Sequence, residues 1–389
     1  MSEKYSISGR VDSFEYESVS VNSVDKLSGD SITGITGGSI TWDYNSDLKV
    51  SGSLTTVDSP MIHNRCIRIY YVSKIPVTQT GGGMKWHTYR YCLATCYGDI
   101  ENGHYENGKY SGKINLQGTM SRFIDDKIPK NYVVSAQSKA LTHFRNIFKW
   151  LGGQYKISGV TDRKYTSAKV WEFGTTPITI LKDLSSYVSG ELTCDRTGHI
   201  VLKKKIAASK IPVTYSIPTG KESVTLPGID ITSTQGKASN QAAVLYLKQE
   251  EYSVQDGTYK TNINGHRKGD PKYITKTRQV PIYGLAKIAS TNSVSKSKTG
   301  RFRTYTEKLS NMKPETTARA NAIAASRLNT NSRYTTVYTI HTYFLPISIG
   351  QVVQFKYDKI SIDGFVESID YDLSPGCPMT IQLRKIRSH

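Results

Sequence analysis

Residues 30–59 read DSITGITGGSITWDYNSDLKVSGSLTTVDS. Within them SITWDY (39–44) and LKVSGSLTTV (48–57) alternate apolar and polar positions, and the short Asn45-Ser46-Asp47 connection predicts a β-hairpin. The Gly-rich run GITGGS at 34–39 lacks the GK[ST] ending of a phosphate-binding loop, so it reads as a turn entering the SITWDY strand. The same period continues outward through RCIRIYYV (65–72), TYRYCLATCY (88–97) and YSGKINLQGT (110–119). Gly81 to Gly83 and GDIENGHYENG (98–108) read as flexible turns between these strands. Residues 1–132 are therefore expected to form a first β domain.

The period changes at about residue 135. SAQSKALTHFRNIFKWLGG sets Ala140, Phe144, Ile147, Phe148 and Leu151 on one helical face and stops at Gly152-Gly153. A second helix starts in TTPITILKDLSSYVSG, with Thr176 as N-cap and Pro177 at the first helical position, burying Ile178, Leu181, Leu184 and Val188. ELTCDRTGHIVLKKK then reads as two short strands around a DRTG turn. Residues 133–207 are expected to be an αβ module inserted in the first β domain, which residues 208–238 would complete.

Pro212, Pro218, Pro227 and Gly228 mark a linker, and β pattern returns at AAVLYLKQEEYSV. Residues 253–313 carry few core candidates and read as long loops with short strands. A helix is expected near 314–329, followed by strands in YTTVYTIHTYFL, QVVQFKYD, GFVESIDYDL and MTIQLRKI. Residues 239–389 are thus expected as a second β domain with one helix and a closing β unit. The fold class is mainly β with a small α+β insert.

A chain of 389 residues with 37% hydrophobic residues can bury several cores, which excludes a disordered tail. The 26 tyrosines favour broad β surface and wet interfaces. Against 32 Asp plus Glu stand 51 Lys plus Arg, a formal net charge of +19. The cations are scattered, apart from Lys203 to Lys205 flanked by Arg196 and Lys210. Salt-sensitive binding to DNA or other polyanions without sequence preference is expected. IRIYYV, TYRYCLATCY and RFRTYTEK interleave basic and aromatic residues, which reads as strands with one basic and one aromatic face. The N-terminus MSEKYSISGR has no apolar stretch and no run approaches 18 apolar residues, so neither signal peptide nor membrane span is expected, and folding is expected in a cytoplasm.

The chemistry-bearing residues form no recognisable constellation. Cys66, Cys92, Cys96, Cys194 and Cys377 are odd in number and make no disulfide framework. CLATC puts Cys92 and Cys96 about 13 Å apart along a strand, too far to share one ion, so they read as core thiols. His63, His87, His104, His143, His199, His266, His341 and His389 never form HExxH or another close pair. GxSxG is missing, and Asp125-Asp126 reads as a solvated pair rather than a glycosidase dyad. No catalytic, cofactor-binding or metal-ligating residue is assigned.

Three stretches together resemble the hub family of phage tails, the fold of contractile-tail baseplate hubs and of siphophage tail-tip hubs. They are residues 30–59 above, VWEFGTTPITILKDLSSYVSGELTCDRTGHIVL (170–202), and ISIGQVVQFKYDKISIDGFVESIDYDLSPGCPMTIQLRKI (347–386). The resemblance implies two tube-like β-barrel or sandwich domains with the αβ module between them. It implies a non-enzymatic virion component at the tail tip, assembled in the host cytoplasm as a homotrimer with six similar positions. Its implied partners are the distal tail protein, the tail tube, the tape measure protein and other tip or receptor-binding proteins, around a passage for DNA. With no peptidase or glycan-hydrolase pattern after the closing strand, any lytic activity is expected in another protein. The alternatives are a receptor- or glycan-binding tail protein and a cell-wall hydrolase.

Overall fold

The computed structural model describes residues 10–20, 23–57, 66–78, 84–218, 223–234, 238–262, 264–309, 314, 316–332 and 335–388. The Gly81 to Gly83 turn, His63, His389 and residues 1–9 lie outside these. Seven strands open the chain: β1 (Val11–Ser20), β2 (Ser23–Ser31), β3 (Ile35–Asp43), β4 (Val50–Thr56), β5 (Cys66–Thr78), β6 (Met84–Glu106) and β7 (Lys109–Gly118). Then come α1 (Ser121–Asp125), β8 (Tyr132–Val134), α2 (Ala140–Leu151), β9 (Tyr155–Ser158), β10 (Lys169–Trp171), α3 (Pro177–Tyr187), β11 (Gly190–Cys194) and β12 (Ile200–Lys204). β13 (Val213–Ser216) and β14 (Thr225–Ser233) lead to β15 (Gln241–Thr258), β16 (Pro271–Lys287), α4 (Lys296–Thr299), β17 (Thr304–Lys308) and α5 (Thr317–Asn331). β18 (Thr336–Thr342), β19 (Val352–Tyr357), β20 (Ile360–Asp372) and β21 (Met379–Ser388) close the chain.

The chain divides into two compact units, residues 1–231 with 337–389, and residues 232–336. In the larger unit one sheet runs in the order β14-β18-β21-β20-β3-β4-β7-β6-β5-β1-β2, with β19 joining β20 and β13 joining β19. The expected hairpin is present: β3 and β4 pair antiparallel from Ile35↔Thr56 to Trp42↔Val50. The decisive pairing is between distant segments. β20 uses residues 360–365 to pair with β19 and residues 368–372, on the same edge, to pair with β3. Two register shifts in its pairing with β21 mark where the strand bends between those partners.

This pairing corrects the expected domains. Residues 239–389 do not form one second domain, because the closing β unit extends the sheet begun by residues 11–118, while residues 232–336 separate from it. Sequence order concealed the join, since Ile369 pairs with Trp42 and Tyr371 with Ile40 across more than three hundred residues. All four side chains are buried. Among the described residues the strands trace an open path rather than a closed barrel.

The helices of residues 133–207 follow their sequence pattern. α2 ends before Gly152 and buries Ala140, Phe144, Ile147 and Phe148, with Leu151 half-buried at the rim. α3 starts after Thr176 with Pro177 in its first turn, and Ile178, Leu181, Leu184 and Val188 are all buried. These apolar faces belong to the same continuous core as Ile40, Trp42, Leu93, Ile369 and Tyr371. The module therefore shares its hydrophobic burial with the sheet.

Two stretches read as loops are strands. β6 continues to Glu106 and turns only at Asn107-Gly108. In the smaller unit β15 and β16 form a hairpin paired from Gln241↔Lys287 out to Thr258↔Pro271. Both segments are solvated on both faces for much of their length, so neither carries the one-sided apolar alternation that marks a half-buried strand. Only the base of the long hairpin is packed. β17 runs parallel to residues 241–245 of β15, and α5 lies across the base to enclose Val244, Ile282, Leu309, Ala320 and Ala324. Thr316 Oγ1 caps α5 by accepting from the Arg319 amide at 3.3 Å. The Arg327 guanidinium donates to both Glu307 oxygens at 2.7 and 3.1 Å, tying α5 to β17.

Helix α5 approaches β16 closely because position 284 has no side chain. A Cβ there would stand 2.2 Å from the Ala320 carbonyl oxygen, and backbone cannot yield as a side-chain end can. Gly284→Ala is expected to destabilise the smaller unit by about 1–3 kcal/mol, with early loss of amide protection along residues 317–331 in hydrogen exchange. Unchanged protection there would refute this account of the helix seat.

Candidate functional site

Hydrogen bonds between segments distant in sequence converge on the DRTG turn between β11 and β12. Asp195 folds the turn onto itself. Its Oδ1 accepts from Thr197 Oγ1 at 2.8 Å and from the His199 amide at 2.9 Å, and its Oδ2 accepts from Lys156 Nζ at 2.7 Å. Burial opposes its charge, but the Lys156, Thr197 and His199 hydrogen bonds outweigh that and hold the carboxyl below its ordinary value. Gly198 has φ +91°, and a Cβ there would come within 3.2 Å of Thr95 and 3.1 Å of Thr119, so the turn can sit flush on β6 only with glycine.

With the turn fixed, Arg196 projects into the junction of the sheet. Its guanidinium lies 4.3 Å from the centre of the Tyr91 ring and donates to Tyr371 Oη at 3.0 Å, to the Cys92 carbonyl at 3.4 Å and to the Ile347 carbonyl. One side chain thus touches β6, β20 and the segment before β19. The Arg196 carbonyl accepts from Thr95 Oγ1 at 2.9 Å. A second, buried arginine works from the opposite direction. Arg68 on β5 donates to Thr95 Oγ1 at 3.0 Å, to the Thr197 carbonyl at 2.9 Å and to the Val24 carbonyl on β2. His199, also buried, places Nε2 3.1 Å from the Asp25 carboxylate of β2. The planar fork of arginine suits this work, because one group can satisfy several fixed acceptors at once.

A cleft of about 550 Å³ opens beside the joint, with Trp42, Lys156, Asp195, Lys203, Ile349 and Ile369 in its wall. Burial pushes the neighbouring Cys194 thiol up to about 12, away from the thiolate a nucleophile needs. Cys66 and Cys377 are likewise pushed up to about 12 and Cys92 to about 11, each chiefly by burial. All five cysteines are free. Asp125 ends α1 and Asp126 follows it, both exposed, with Asp126 Oδ1 accepting from the Lys127 amide at 2.9 Å. Chemically, the joint fixes strands and a turn in place.

Sequence reading named the DRTG turn and placed Arg196 beside a basic run, but not the joint. The partners of Arg196 lie in three segments, at residues 91–95 of β6, at Ile347 and at Tyr371 of β20, and no local spacing connects them.

No family model matches the sequence, and no curated protein matches it. Solved structures do. The tail protein of Neisseria meningitidis MC58 superposes with a TM-score of 0.60 at 12% identity, over 96% of this chain and 97% of that one. The 43 kDa tail protein of prophage MuSo2 from Shewanella oneidensis superposes with a TM-score of 0.58 at 13% identity, over 96% and 98%. The chain has the fold of these tail proteins. Because the superpositions run nearly end to end, they embrace both compact units, and the mainly β fold with a small α+β insert expected above is the one observed.

Two outcomes follow from the joint. Arg196→Lys is expected to cost about 2–3 kcal/mol in urea unfolding, since an ammonium cannot satisfy the Tyr371 hydroxyl and two carbonyls from that position. A loss below about 0.5 kcal/mol would mark the contacts as incidental. For Asp195, the folded value is depressed. Its contribution is therefore present above the unfolded value of about 3.9 and is lost as pH falls through the lower folded value. Between pH 6 and 3 the urea midpoint should fall more steeply for the natural chain than for Asp195→Asn, and parallel curves would contradict the assignment.

Proposed function

We propose that the chain is a structural, non-enzymatic hub of a phage tail, placed at the tail tip of the virion and assembled in the host cytoplasm as a homotrimer. The observation that carries this reading is the near-complete overlay of the chain on tail proteins, together with a sheet whose path, among the described residues, ends in the edge strands β2 and β14, each paired on one side. Open strand edges invite pairing with another chain, and a head-to-tail contact that closes after a few copies covers them. In this reading the two β regions, residues 11–118 and residues 213–231 with 337–388, form the tube-like wall. Alternating around three copies, they give six similar positions. The hub joins the tail tube and distal tail protein to the tip, meets the tape measure protein and other tip proteins, and encloses the passage for DNA.

Light scattering on the purified chain, alone and with its tail partners, tests the assembly. A mass of three chains in either condition is the expected result. A monomer in both would sink the ring, and soluble glycan or peptide released from purified host walls would sink the non-enzymatic reading.

A further inference from the structure

The net charge is divided unevenly between the compact units. Residues 232–336 hold 18 Lys plus Arg against six Asp plus Glu, a formal +12 out of the chain's +19. The remaining residues hold 33 against 26, or +7. A unit with about a quarter of the chain therefore carries most of the excess charge, contrary to the scatter read from the sequence.

Within this unit the excess has a shape. Beyond Leu247 and Pro281 the β15–β16 hairpin continues for roughly 30 Å as a two-stranded ribbon, with most of its side chains exposed. Cross-strand register places Lys248, Tyr252, Lys276 and Arg278 on one face, and strand alternation adds Lys272 to it. On β16 successive residues of this row are about 6.8 Å apart. Glu250, bridged to Lys248 and Arg278 at 3.3 Å each, and Asp256 near the end of β15 are the acids of this row, so its cations Lys248, Lys272, Lys276 and Arg278 outnumber its acids by four to two. The opposite face carries Gln249, Ser253, Gln255, Thr275, Thr277 and Gln279, which can hydrogen-bond, together with the acid Glu251 and the exposed ring of Tyr273. The tip adds exposed Lys260, Arg267 and Lys268. An isolated two-stranded ribbon is at best marginally stable in water, so a polar ribbon of this length suits a partner that supplies contacts along it.

We propose that the β15–β16 ribbon is a docking surface for the phosphate backbone of duplex DNA, gripped without regard to sequence. Charge complementarity selects a polyanion, and shape selects the duplex. A two-stranded ribbon fits a groove about 12 Å wide, with cations in rows able to meet the phosphates along its rim. A ribbon longer than it is wide matches a groove better than the rings of a glycan. The inference goes beyond the hub reading and stands apart from it, resting on charge and shape within this one unit.

The test is anisotropy of the full-length chain with a short labelled DNA duplex over a salt series. Neutralising Lys272→Gln and Lys276→Gln together is expected to reduce the slope of log affinity against log salt by about 1.8, from about 0.9 per phosphate contact. The charge-preserving pair Lys272→Arg and Lys276→Arg should keep the slope. Neutralising the exposed Lys109 and Lys130 of the other unit should also leave it unchanged. Equal loss from both neutralised pairs would overturn the proposal in favour of diffuse attraction. So would no binding to the duplex at low salt, or tighter ribbon-dependent binding to heparin, which would assign the surface to an anionic glycan.

Discussion

One edge of β20 fixes the architecture. Its first half pairs with β19 and its second half with β3, so a single strand joins the closing β unit to the hairpin near the start of the chain. Every inward side chain at that seam is constrained on two sides. Ile369 must fit beside Trp42 and Tyr371 beside Ile40, and slipping by one residue would exchange the buried and exposed faces of the strand. Trp42 adds a polar fastening by donating its indole N–H to the Leu93 carbonyl at 3.1 Å. Leu93 is the residue that the register shift between β5 and β6 leaves without a partner in that ladder.

The arginine joint complements this seam. Hydrophobic packing between sheet and helices has no strong directional preference, and by itself it leaves a short turn free to slide over β6. Arg196 and Arg68 remove that freedom with hydrogen bonds to backbone carbonyls, which cannot move without disturbing the strands themselves. The desolvation of two guanidinium groups is met by several acceptors and, for Arg196, by the face of the Tyr91 ring. The joint is therefore a specificity element laid over a core that supplies the cohesion.

Legibility followed burial. The helices were readable because Phe144, Ile147 and Phe148, or Ile178, Leu181 and Leu184, repeat at helical spacing against one core. The β3–β4 hairpin was readable for the same reason at period two. Where both strand faces meet water, as in residues 249–258 and 271–279, Thr, Gln and Lys produce no apolar signal and a paired ribbon looks like a loop. The domain division was unreadable for a different reason: it depends on which strand joins β3, and nothing in the local pattern of residues 368–372 names a partner so remote in sequence. The joint shared that limit, since an arginine after an aspartate in a tight turn is an ordinary surface feature until its acceptors are known.

The two units also differ in what stabilises them, and the difference bears on where a partner can act. The larger unit has a continuous core running through sheet and helices, whereas among the described residues the smaller one clusters Val244, Ile282, Leu309, Ala320 and Ala324. A formal +12 around so small a core is self-repulsive, and the repulsion grows as salt is removed. The Arg327–Glu307 pair and the Asn240 side chain, which donates to the Arg301 carbonyl and accepts from the Arg303 amide, fasten the basic loop and helix locally. They do not neutralise the excess. Any polyanion that binds this unit relieves repulsion as well as making contacts, so binding and folding of residues 232–336 are thermodynamically linked. A surface that is least comfortable alone is the one whose state changes most on meeting its partner.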